Sequence, residues 1–121
     1  MNTIVYGSNV VDSIGTLVAS GTWSFNGASI TSGTVFTAPI AGLYRITGSV
    51  CTTTAGSAGT VSVTVDGETS GTADLTALNS TKSVSSMAYL AAAGTFSLAT
   101  TVASNTGAQY RVDYVVERIG Q

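Results

Sequence analysis

The feature that most restricts the fold of this chain is strict alternation. In Thr60-Val61-Ser62-Val63-Thr64-Val65-Asp66, three valines point one way and the hydroxyls the other. A two-residue period belongs to an extended strand with one face on a core. Asp66-Gly67 follows at once, and that pair tolerates the positive φ of a tight hairpin turn. The period recurs along the chain. Tyr44, Ile46, Gly48 and Val50 alternate with Leu43, Arg45, Thr47 and Ser49. Phe96, Leu98, Thr100 and Val102 share one face, and Tyr110, Val112, Tyr114 and Val116 oppose Arg111, Asp113, Val115 and Glu117. The first-named face of each is expected inward. No window shows the three-and-four spacing of a capped helix, and Ala91-Ala92-Ala93-Gly94 is too short to nucleate one. The pattern predicts an all-β, two-sheet antiparallel sandwich of about ten strands.

The other segments are shorter. Thr16–Ala19 and Thr22–Phe25 read as separate strands, with Asn26-Gly27 as a tight hairpin turn and a brief return at Ser29-Ile30. Thr34–Thr37 is a short strand before Pro39, which lacks a ladder N–H and so marks a bend or an edge. An edge strand is expected around Thr72–Ala77, and a longer strand over Lys82–Ala91. Residues 1–15 hold two small apolar groups, Ile4-Val5-Tyr6 and Val10-Val11, around Gly7-Ser8-Asn9. They read as a first strand pair or as an arm that orders against a partner, with a single domain over 16–121.

Charge narrows the function. Only 8% of the 121 residues are Asp, Glu, Lys or Arg, the net charge is -2, and there is no histidine. An ordinary globular chain has about 25% charged residues. A chain this size exposes roughly 6,000 Å², so its surface must be Ser, Thr, Asn and Gly, or be covered by other subunits. With no basic patch, neither nucleic acid nor an anionic membrane is expected as a partner. The start of the sequence lacks the basic and long apolar stretches of a signal peptide. One cysteine, Cys51, forms no internal disulfide.

Phe36, Pro39, Gly42 and Tyr44 form a spaced motif that resembles the signature of complement globular-head and tumour-necrosis-factor-like jelly rolls. The segment Tyr89–Leu98 is similar to that family's leucine-x-x-x-glycine-aspartate-x-valine stretch, and Tyr110–Ile119 to its apolar last strand. The three pieces occur in the family's order and cover about Val35 to the end. Thr95 stands where the family has an acidic residue, the last strand lacks the phenylalanine-x-glycine start, and no collagen-like stalk precedes the domain. The resemblance implies a two-sheet jelly roll that assembles as a homotrimer with one sheet buried between subunits. It also implies a binding or structural module, not an enzyme, and a bacteriophage structural member fits the departures.

Candidate chemistry is sparse. Without histidine, the usual general base and zinc ligand are missing. Cys51 reads as a small core or strand-end residue. Asp66, Glu68 and Asp74 fall in one hairpin region and offer oxygens to calcium, as some family members do, yet Asp66-Gly67 is explained by turn geometry. Asn79-Ser80-Thr81 has the form of a glycosylation sequon and reads as a turn. Trp23 and Phe25 share a face, as a core pair or as a surface pair that stacks on a sugar. Leu43, Arg45, Arg111, Asp113, Val115 and Glu117 are the expected subunit interface.

No catalytic, cofactor-binding or metal residue is assigned. The expected function is a non-enzymatic virion structural protein: a trimeric capsid decoration, or cement, protein that clamps the major capsid protein of a phage shell. It would be made in the host cytoplasm and sit on the capsid surface. Ile4, Val5, Tyr6, Val10 and Val11 would be its docking arm. The alternative is a receptor- or carbohydrate-binding head of a tail fibre or surface adhesin, at a cell surface.

Overall fold

In the computed structural model, residues 16–121 are described. Among them are nine strands: β1 (Thr16–Asn26), β2 (Gly33–Thr37), β3 (Gly42–Thr54), β4 (Ala58–Val65), β5 (Glu68–Thr69), β6 (Ala73–Asp74), β7 (Thr81–Leu90), β8 (Thr95–Thr106) and β9 (Gln109–Gly120). They form two antiparallel sheets. The first has the order β1-β9-β3-β7. The second has the order β2-β8-β4-β5, with β6 also paired to β4. From β1 to β4, and again from β6 to β9, each connection leaves one sheet and enters the other. That winding ties the two sheets together as one sandwich.

The alternation places the core as expected. Tyr44, Ile46 and Val50 from β3 and Tyr110, Val112 and Val116 from β9 meet Val61, Val63 and Val65 from β4 and Phe96 and Leu98 from β8. Full burial of each such side chain contributes about 1.5–3 kcal/mol. Gly48 sits on this inner face of β3. A Cβ there would lie 2.7 Å from a Val65 methyl and 3.3 Å from one on Val63, so only glycine lets the sheets approach this closely.

The Phe36–Tyr44 motif builds one end of the sandwich. The Phe36 ring packs on Tyr44 at 5.2 Å and on Phe96 at 6.2 Å. The Tyr44 hydroxyl donates to the Ile40 carbonyl at 2.8 Å, closing the bend around Pro39. A Cβ on Gly42 would stand 2.6 Å from Nε of Arg118, so glycine admits that buried guanidinium, whose Nη2 donates to the Ala41 carbonyl. Burial pushes the Tyr44 phenol above its ordinary pKa, and the Arg118 charge opposes the shift. The bend is strapped to the β7–β8 connection: Ala38 N–H donates to the Gly94 carbonyl and Ala93 N–H to the Ala38 carbonyl. Two of the three pieces that carried the resemblance therefore touch.

Three local readings are corrected. Thr16–Ala19 and Thr22–Phe25 are one strand, whose period is broken by register shifts at Leu17/Ala19 and Trp23/Asn26. Asn26-Gly27 is not a hairpin turn. The chain crosses there to the second sheet, held by Asn105 Nδ2 donating to the Gly27 carbonyl and the Tyr110 hydroxyl donating to the Ala28 carbonyl. The Thr100 side chain completes that clasp, accepting from Ile30 N–H and bonding the Tyr110 oxygen. The edge strand over Thr72–Ala77 shrinks to the two residues of β6. Asp66 (φ 48°) and Gly67 (φ 90°) form the expected tight turn between β4 and β5.

Candidate functional site

The outward face of the first sheet follows from the register. Near one end, Leu43 lies opposite Tyr89. The next row across the sheet is Leu17, Glu117, Arg45 and Met87, followed by Ser20, Val115, Thr47 and Ser85. Beyond these come Thr22, Asp113, Ser49 and Ser83, and then Arg111, Cys51 and Thr81. The face is therefore apolar toward one end and hydroxylated toward the other.

Its apolar end is open to water. Tyr89 is 63% exposed, Met87 61% and Leu17 57%, with Val115 at 38%. Such a grouping on one face marks an interaction surface more often than isolated exposed side chains do. The charges on it are paired within the chain. Arg45 Nη2 contacts Glu117 Oε1 at 2.7 Å, directly across the β3–β9 ladder. Arg111 Nε contacts Asp113 Oδ2 at 2.8 Å, and the Thr22 hydroxyl donates to the other carboxylate oxygen of Asp113. The bond from Arg111 and the Asp113 charge hold that guanidinium above its ordinary pKa.

All six residues expected at a subunit interface, Leu43, Arg45, Arg111, Asp113, Val115 and Glu117, thus lie on this one face. The sequence reading missed Leu17, Met87 and Tyr89. On β7 the signal was present, since Met87 and Tyr89 are two apart and flanked by Ser86, Ala88 and Leu90 on the other face. On β1 the bulge next to Leu17 hid it.

A second aromatic feature lies on β1, the outermost strand of this sheet among the described residues. Trp23 on β1 is 38% exposed and packs on Tyr114, with ring centroids 5.7 Å apart and planes tilted by 32°. The Tyr114 hydroxyl donates to the Val35 carbonyl of β2 at 3.4 Å. The side chain of Phe25 is outside the described set, so the Trp23/Phe25 pair is described only on its Trp23 side.

The remaining candidates are dispersed. Asp66 lies in the β4–β5 turn and Glu68 just after it, while Asp74 Oδ1 accepts from the hydroxyl and the N–H of Thr76. Those bonds lower the Asp74 pKa. Among the described residues, no three Cys, Asp or Glu side chains gather as a metal site. Cys51 is half-buried on the outward face of β3. Asn79, at φ 67°, is an exposed turn residue before β7. The expected docking arm, Ile4, Val5, Tyr6, Val10 and Val11, lies outside the described residues.

No protein-family model and no curated protein matches the chain. Among solved structures, it is similar to the sugar-binding C-terminal domain of EclA, with TM-score 0.48 and 20% identity over 82% of this chain and 77% of that one. It is also similar to a carbohydrate binding module, CBM6cm-2, from Cellvibrio mixtus lichenase 5A in complex with cellotriose. The TM-score there is 0.31, with 17% identity over 80% of this chain and 70% of that one. The likeness to tumour-necrosis-factor-like jelly rolls rests on its motifs.

Proposed function

We propose that this chain is a non-catalytic binding head for neutral carbohydrate, assembled as a homotrimer through the outward face of its first sheet. The observation that supports this reading is the apolar end of that face, with Leu17, Met87, Tyr89 and Val115 exposed together. A second copy is the partner that fits it. The face carries both signs of charge already paired in-chain, so a partner need not supply a countercharge. A neutral face of this kind is self-complementary, and rotation about one axis closes identical copies into a ring. The resemblance implies three.

Assembly covers the apolar face and leaves the sheet edges and loops outward. What remains is charge-poor and rich in Ser and Thr, which suits a neutral, hydroxylated ligand better than a polyanion. Three equivalent copies turn weak single contacts into strong attachment. Light scattering of the purified protein should give about three times 12.1 kDa, and a panel of neutral glycans should include a ligand. A monomer at micromolar concentration would overturn the assembly, and a panel without any ligand would overturn the carbohydrate reading.

The shell-clamping reading shares the trimer, but it depends on residues 1–15, and none of the described surface favours it over a head. Deleting residues 1–11 separates the two. A head keeps both its assembly and its glycan binding, whereas a cement protein keeps its trimer and loses its shell.

A further inference from the structure

We infer that the rim between β1 and β2 is the carbohydrate site, with the Trp23 ring as the platform for the C–H face of a neutral sugar. This rests on the head function proposed above and assigns it a place. Trp23 is the only tryptophan of the chain. The ladder sets it opposite buried Val112, on the core-facing side of the first sheet, yet it packs outside the core cluster that Tyr114 joins. Leaving a third of an indole in water forgoes burial that a purely structural residue would take.

The platform is backed by a second ring. Tyr114 is tethered to β2 through the Val35 carbonyl, and Trp23 rests on its ring. Gly21 makes room for the arrangement, because a Cβ there would stand 2.5 Å from the Tyr114 ring. An aromatic face that already rests on a packed neighbour has less conformational entropy to lose when a ligand stacks on it.

The surroundings choose the ligand. Thr22 and Ser24, next to Trp23 in sequence, alternate to the outward face, where the Thr22 hydroxyl is bonded to Asp113, and Thr34 on β2 is exposed. Asp113, the acidic residue across the ladder from Thr22, is already bonded to Thr22 and Arg111. An exposed aromatic face, with the nearby Asp113 already committed to Thr22 and Arg111, matches the C–H face of a pyranose. It does not match an anionic sugar.

The sole tryptophan makes the test direct. The intact protein is titrated with cellopentaose, maltopentaose and chitotetraose, following tryptophan emission and, separately, heat of binding. The expected result is binding of at least one with a shift in emission. Trp23→Ala should weaken it by about tenfold or more, Trp23→Phe should keep part of the affinity, and circular dichroism should confirm that both variants fold. Binding with unchanged emission, and equal affinity in Trp23→Ala, overturns this site and leaves the head function standing. If the protein assembles but no oligosaccharide binds at millimolar concentration, the site and the carbohydrate reading fall together.

Discussion

The outward faces of the two sheets follow the same alternation and end up unlike. On the second sheet, Ser62 lies opposite Thr101, Thr64 opposite Ala99 and Thr60 opposite Ala103. No large exposed hydrophobic side chain lies on β2, β4, β5, β6 or β8. On the first sheet, Leu17, Met87, Tyr89 and Val115 stand exposed around the Arg45–Glu117 pair. Period two reports which residues turn away from the core. It does not report whether they then meet water or another subunit, and side-chain size and chemistry carry that second distinction.

The strongest way to break the contrast is to charge the apolar face. Met87→Asp combined with Tyr89→Asp should abolish assembly at micromolar concentration, read as a fall to the monomer mass by light scattering with the strand spectrum unchanged. Retained assembly would place the interface elsewhere. A change between the sheets should affect the fold instead. Gly48→Val drives methyls into Val63 and Val65 and should destabilise the domain by about 1–3 kcal/mol in urea unfolding. Arg45→Ala removes a partly exposed ion pair and should lower the stability of the subunit by about 0.2–1 kcal/mol, with the loss shrinking in high salt. Thr101→Asp on the second sheet should change stability by less than about 0.5 kcal/mol and leave the mass unchanged. A mass change there, with none from Met87 and Tyr89, would invert the comparison.

The smallest effect concerns pH. Asp74 has a lowered folded pKa because Thr76 donates to its carboxylate. Its contribution to stability is therefore present above the ordinary carboxylate range and lost as pH falls through the lowered folded value. Acid unfolding of Asp74→Asn should lack that component, while the assembly at neutral pH stays as it was.

Much of this was legible in the residues. The inward faces of β3, β4, β8 and β9 follow directly from alternation, and so does the shared outward face of Leu43, Arg45, Arg111, Asp113, Val115 and Glu117. The Asp66-Gly67 turn was readable because its chemistry is local. Asn26-Gly27 has the same local chemistry and was misread. There the route of the chain is set by Tyr110, Thr100 and Asn105, whose bonds to it span 70 to 82 positions in sequence, and tertiary hydrogen bonds override a turn preference. β1 was split because its two register shifts interrupt the period. The spacing of Trp23 leaves core and surface roles open, because its position depends on Tyr114 and Gly21, which no spacing rule connects to it.

The ladder between β1 and β9 has a practical consequence. Thr16 pairs with Arg118, so the first described residue and the end of the last strand leave the sandwich from one corner. Joining them needs only a short linker, whose closure entropy grows slowly with length. A permuted chain opened at the exposed Asp66-Gly67 turn keeps both outward faces intact. The domain is equally suited to insertion, as a unit, into a surface loop of a carrier protein.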